Sequence, residues 1–320
     1  MKKQLTGRVE YFLLASAAYA DLLDSEGNEH PIGSRKDEPG DIAYEKLKDL
    51  GWRLIHSTQG RTGYRGHVFA HEERKELCVA HRGSKNLGSF ITDIQAVVSE
   101  SHTGHATDAI KETLGFPIVS AYFKERLSAN KLSQNWTLSS TGHSLGGWLA
   151  ALFQYVVSDL GMGFHFDGRI IGCGFDAPGI ADFLDALQPS DASKRVNISG
   201  LDYTNFVMRT DIVNTCGKQI GTTVCLEGDK ASEACAMGDI LNIATIHSRE
   251  EIGKALEAKN YKMMQRWPST SSDVLDKLIV AVTGSKWRLL GLGVGLASSA
   301  SSFLKRLLVG TGATLSLIHI

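Results

Sequence analysis

The stretch "NWTLSSTGHSLGGWLAALFQYVV", residues 135–157, constrains this chain more than any other. It begins as a strand-like run and changes at Ser144 into a helical pattern. Leu145, Trp148, Leu149, Leu152 and Val156 recur at three- and four-residue spacing, with Gly161 as a stop signal. A strand that turns sharply into a helix forces its central residue into a strained backbone conformation. It also leaves no room for side chains two positions to either side, and Gly142 and Gly146 stand there. The turn therefore lifts Ser144 clear of the sheet, and the helix start aims the Leu145 N–H at whatever approaches it.

The rest of the chain alternates in the same way. "WRLIHST", "GHVFAHE" and "KELCVAH" read as successive strands, the last two joined by the polar turn Glu72–Arg74. "RIIGCGF" and "YTNFVMR" supply two more, with "APGIADFLDAL" as a helix between them. "ATDAIKETLGFPIVSAYFKERL" is helical around a break at Pro117. Such alternation predicts the α/β class, with a mostly parallel central sheet flanked by helices. The chain has 320 residues, enough for one large domain and an appendage or for two smaller domains, and the pattern along it favours a domain over 1–265 with a tail over 266–320. A net charge of -1, and no basic stripe with interleaved aromatics in the first 265 residues, give no sign of a nucleic-acid partner, and none is expected. At the N-terminus, Lys2, Lys3 and an Ala18-Tyr19-Ala20 site invite a leader-peptide reading, but Arg8 and Glu10 cut the apolar run short. Phe12, Ala15, Tyr19 and Leu22–Leu23 share a helical face, so an ordinary first helix is expected. Cys78 and Cys173 read as core. Cys216, Cys225 and Cys235 are too widely spaced for a zinc knuckle, leaving one bridge within that trio as the alternative to free thiols.

A serine hydroxyl barely ionises at neutral pH and needs a base within reach, with a third group to orient that base. In sheets of this type the chain order is Ser, then acid, then His, each at a strand's carboxyl end. After Ser144 the histidines are His165, His247 and His319. His165 precedes the acid-bearing strand ends and His319 is penultimate, so His247, just before a helix-like segment, is the candidate base. Asp211 follows "YTNFVMR" directly and is the candidate acid, with Asp176 in "GFDAPG" and Asp202 at a strand start as rivals. The loop "HRGS" after an early strand offers a second backbone donor at Ser84, beside Leu145. Gly83 allows close approach, Arg82 braces the loop, and His81 is a strand-end residue.

In order along the chain, "ASAAYADL", "VAHRGS", "FITDIQ", "TGHSLGGWLAALF", "FDAPGIADF", "MRTDIVN" and "IHS" resemble the class 3 lipases, the fungal-type branch of the α/β-hydrolase fold. The resemblance spans roughly residues 10–250. It implies Ser144 as nucleophile, Asp211 as acid, His247 as base and Ser84 and Leu145 as oxyanion hole, with Asp93 supporting the oxyanion loop. It implies hydrolysis of acylglycerol or phospholipid esters through an acyl-enzyme, with no cofactor and no metal, and a lid in "NLGSFITDIQAVVSESH". An acyltransferase using the same triad is the alternative, as is a catalytically silent membrane-binding module. Three departures stand out. His81 occupies a usually aromatic position, Asp211 is followed by Ile-Val-Asn instead of Pro-Val-Pro, and Asp176 replaces the common glycine before Ala-Pro. The resemblance does not reach the C-terminal tail. From Lys277 onward it carries five basic residues (Lys277, Lys286, Arg288, Lys305 and Arg306) and no acidic one around "LLGLGVGLASSASSFL". That pattern fits a segment docked on the domain, a disordered tail, or a peripheral anchor on an anionic membrane surface. No oligomeric state is implied.

Overall fold

The computed structural model describes residues 2–22, 39–60, 63–84, 137–159, 170–188, 190–192, 195–208, 211, 213–226, 247–259 and 261–264. Helices α1 (Lys2–Ala17) and α2 (Pro39–Asp49) precede three strands, β1 (Trp52–Gln59), β2 (Arg65–His71) and β3 (Glu76–His81). Then come β4 (Thr137–His143), α3 (Leu145–Asp159), β5 (Ile170–Phe175), α4 (Ala181–Leu187) and β6 (Tyr203–Met208). The series ends with β7 (Thr222–Leu226), α5 (Arg249–Ala258) and β8 (Tyr261–Met264).

The strands form one eight-stranded sheet in chain order. β1, β2 and β3 pair antiparallel, β3 through β7 pair parallel, and β8 closes the far edge antiparallel to β7. This is the mostly parallel, helix-flanked α/β sheet that the alternation predicts. Both faces are covered, and the register shows how. Successive strand residues point to opposite faces. Leu77 and Val79 join the core cluster under α3, with Leu138, Leu149 and Leu152. Cys78 and Ala80, one residue out of phase, join the cluster under α1 and α2, with Leu14, Leu47 and Trp52. A third cluster packs Phe12 and Ala15 of α1 against Phe175, Phe206 and Ile252. Each fully buried leucine such as Leu149 or Leu152 contributes about 1.5–3 kcal/mol.

The N-terminal segment is a helix whose inner face lies in this core, as its apolar spacing predicts. Three elements, α2, β7 and β8, have no counterpart in the sequence reading. Cys78, Cys173, Cys216 and Cys225 are all buried, and burial pushes the Cys173 thiol up. No helix among the described residues is long and apolar enough to cross a membrane. Asp93, the 86–102 segment, the helix around Pro117, His165, Cys235, His319 and the 266–320 tail lie outside the described residues.

Candidate active site

β4 ends at His143 and α3 begins at Leu145, so a single residue makes the turn. Ser144 has φ +59°, left-handed for a non-glycine residue, and is 3% exposed. Its N–H donates to the Phe175 carbonyl at 2.8 Å, tying the turn to the end of β5, and its carbonyl accepts from Gly147 N at 2.9 Å. The flanking glycines are sterically required. A Cβ on Gly142 would lie 2.1 Å from the Gly146 carbonyl carbon, and one on Gly146 would lie 2.2 Å from the His81 carbonyl oxygen.

The loop after β3 packs directly on this turn. A Cβ on Gly83 would meet the His143 carbonyl oxygen and the Tyr19 hydroxyl, each at 2.4 Å, and would lie 3.3 Å from Gly146 N. The Gly83 backbone and the first turn of α3 are thus held in contact, and Ser84 follows at the wall of a cavity shared with His143 and His247. Arg82 donates from its backbone N–H to Arg65 O at 3.0 Å and from its guanidinium to Gly63 O at 2.9 Å. His81 is fully buried, its Nδ1 3.0 Å from the Tyr64 hydroxyl, and burial pushes its pKa down to about 3.

His247 and Asp211 meet. His247 Nδ1 makes a short contact with Asp211 Oδ2, with both side chains buried. Asp211 Oδ1 accepts from Val213 N at 2.9 Å, which fixes the carboxylate plane from its own turn. Asp202 stands at the opposite end of β6, where its carbonyl accepts from Gly172 N and Gln154 Nε2, far from this edge of the sheet. Asp176 reaches the same cluster, and donor atoms of Asp176, Asp211 and His247 all lie within 4.8 Å of one another. Among the described residues only these three are close enough to share a cation. His247 Nδ1 is already taken by Asp211, and Asp176 Oδ1 by two N–H donors.

Two residues that the sequence reading left without a role tie His247 to the elbow. His143 Nε2 lies 3.1 Å from the His247 carbonyl, and Nδ1 lies 2.9 Å from the Tyr19 hydroxyl. A carbonyl only accepts, so Nε2 carries the proton and Nδ1 accepts from Tyr19. Burial, then the neighbouring His247 and Arg249, hold the His143 pKa well below the usual histidine range, so this ring is neutral. The rings of His143 and His247 are 4.7 Å apart. Arg249 stacks over Tyr19 at 4.1 Å and donates to Ser16 O at 3.1 Å, completing a strap from α1 through the elbow to α5. The only sequence signal for this was the histidine within the elbow motif.

Beside these groups opens a cavity of about 720 Å³. Val9, Phe12, Leu13, Ala43 and Leu256 are among its apolar lining, and Ser84, His143 and His247 line it together with charged residues such as Lys46, Arg249 and Glu250. The volume is in the range of small-molecule sites.

No protein-family model matches the chain, and neither does the sequence of any curated protein. Among solved structures, it is similar to a lipase from Rhizopus microsporus var. chinensis (16% identity, TM-score 0.47, covering 70% of this chain and 75% of that one). A lipase from Yarrowia lipolytica is similar at 15% identity and TM-score 0.44 over 70% and 79%. The Rhizomucor miehei lipase–propeptide complex is similar at 15% and 0.45 over 71% and 69%. The topology of this chain itself, a parallel sheet with antiparallel margins and a serine raised between a central strand and its crossover helix, is that of an α/β-hydrolase.

Proposed function

We propose that the chain is a serine carboxylic-ester hydrolase acting on acyl esters of glycerolipids. The observation that carries this reading is the His247–Asp211 pair, held against an elbow that presents Ser144 at positive φ. Ser144 Oγ attacks the ester carbonyl as His247 takes its proton, and Asp211 holds the imidazole in the tautomer that leaves Nε2 to accept it. The Leu145 and Ser84 N–H groups hold the tetrahedral oxyanion, Gly83 keeping the loop close enough. His247 then protonates the leaving alcohol, and water repeats the cycle to release the acid. The apolar lining of the cavity suits an acyl chain, and the lipase nature of the similar structures agrees with that substrate class.

The test is to incubate purified protein with vesicles and emulsified triacylglycerol and to measure both free fatty acid and newly formed ester. Hydrolysis predicts free acid in proportion to turnover, whereas a new ester means that another alcohol replaces water. In S144A a drop on the order of 10⁶ is expected, leaving only what binding and the oxyanion donors supply. Retention of a tenth of the activity by that variant, or no turnover of any ester by the unmodified chain, overturns the reading.

A further inference from the structure

Asp176 is the second carboxyl at the triad. It is fully buried, and its backbone has φ +46°. Its Oδ1 accepts from Met208 N at 2.5 Å and from Asn214 Nδ2 at 3.0 Å. Its Oδ2 is buried and receives no hydrogen-bond donor. The Asp211 carboxylate, itself an acceptor, lies within 4.8 Å in the same cluster. Two ionised carboxylates so placed and buried repel strongly, and a single shared proton removes the conflict. The ionisable groups around the pair are His247, the Cys216 thiol beside Asp211, and His143 behind His247. Neither carboxylate pairs with a lysine or arginine among the described residues.

We propose that Asp176 is a positioning residue for the triad acid, its Oδ2–H donating to the Asp211 carboxylate and holding it aimed at His247 Nδ1. The assignment rests on the Ser144–His247–Asp211 reading above. Of the two carboxyls Asp176 is the one to hold the proton. Asp211 faces two donors, Val213 N and His247 Nδ1, and needs its charge when the imidazolium forms. Burial first, and the Asp211 charge second, push the Asp176 carboxyl well above the ordinary carboxylate range. The pair thus carries one negative charge in total, which is what one imidazolium requires. Asp176 also grips the Asp211 turn from behind through Met208 and Asn214, whose Nδ2 in addition donates to Met208 O at 2.9 Å.

D176N and D176G test this. Asn mimics the neutral acid, since its carbonyl oxygen can take the Met208 and Asn214 donors while its N–H faces Asp211. Asn and Gly both tolerate the positive φ, so neither strains the turn. On a soluble short-chain ester, D176N is expected to cost no more than about threefold, and D176G about 10²-fold in kcat with KM unchanged, as for a misplaced catalytic group. D176N falling as far as D211N would show that Asp176 is ionised and is itself the acid. D176G with unchanged kcat would show that it positions nothing.

A second readout needs no activity and keeps the proposal separate from the proposed reaction. A carboxyl whose folded pKa is raised gives stability that is complete below the unfolded value of about 3.9 and is lost as pH rises above it. The melting temperature of D176N relative to the unmodified chain should therefore climb between pH 4 and 8. A difference that stays flat or moves the other way overturns the shared proton, whether or not any ester is turned over.

Discussion

Gly146→Ala tests the elbow more sharply than removing the serine, because it deletes none of the proposed reacting groups and changes only their spacing. A Cβ at this position would sit 2.2 Å from the His81 carbonyl oxygen and 3.0 Å from Gly83 N. An ordinary carbon–oxygen approach is about 3.3 Å, so the β3 end and the first turn of α3 must separate by roughly 1 Å. Both neighbours are backbone, and His81 is locked in the sheet by its pairing with Gly66 and Gly142, so no side-chain rotation can relieve the clash. Overpacking of this kind costs about 1–3 kcal/mol of stability. The separation also opens the gap between Gly83 and Gly146, and with it the spacing of the neighbouring Ser84 and Leu145 N–H groups that the proposed mechanism needs to converge on one oxyanion. A displacement of that size at a reacting centre costs about 10²-fold in rate. Short-chain ester turnover, normalised to folded protein by urea denaturation, should thus fall about a hundredfold while the chain still folds. Gly63→Ala is the control. It carries φ +87° but a Cβ there meets nothing within 4 Å, so stability should drop slightly and turnover per folded molecule should not. A G146A variant with unmodified turnover and unmodified denaturation midpoint would refute the packing of the 81–84 loop on the elbow.

D211N should lower kcat by about 10⁴, because the His247 ring loses the partner that fixes its tautomer, with little change in KM on a soluble ester. Stability should fall as pH drops from about 6.5 toward 3. Burial pushes His67 and His81 down to about 3, so the unfolded chain binds protons that the folded chain refuses. Each of these groups can contribute up to about 1.4 kcal/mol per pH unit across that window, and urea midpoints at pH 7, 5.5 and 4.5 should step down accordingly. Truncation after Pro268 keeps every described element; if the basic tail serves as a peripheral anchor, hydrolysis of anionic vesicles should drop and become insensitive to salt, while a soluble ester is turned over as before. Equal loss on both substrates would instead make the tail part of the fold.

What was legible in the sequence, and what was not, follows from the range of the interactions. The elbow could be read because its signals are local: a period of two gives way to a period near four at one residue, and the flanking glycines answer a steric demand within five positions. β7 and β8 could not, because "TTVCL" and "YKMM" are short and carry little periodicity of their own. They become strands by pairing with β6 and with each other. α2 was missed for a similar reason, since "PGDIAYEKLKD" buries only Gly40, Ala43, Tyr44 and Leu47, against α1 and β1. The Tyr19–His143–His247 strap is carried by hydrogen bonds between residues 124 and 104 positions apart, which no local pattern encodes.

Asp176 shows the same limit within the site itself. Along the chain, Asp176 and Asp211 look like alternatives, each a carboxylate just past a strand, and only one acid is needed. The sheet makes them neighbours. β5 and β6 run parallel with Phe175 opposite Phe206, and Asp176 N donates to the Phe206 carbonyl at 2.7 Å. Residues that leave these two strands at their carboxyl ends therefore emerge side by side, and Asp211 turns back within hydrogen-bond reach of Met208 O at 3.1 Å. Strand order thus turns two rival candidates into one pair. A chain that places a carboxyl at a position where its resemblance has glycine then has to protonate it, pair it, or lose the fold around it. No cation pairs with it among the described residues, and Asp211 is committed to His247. The proton is what remains, and with it Asp176 changes from a competitor of the triad acid into its support.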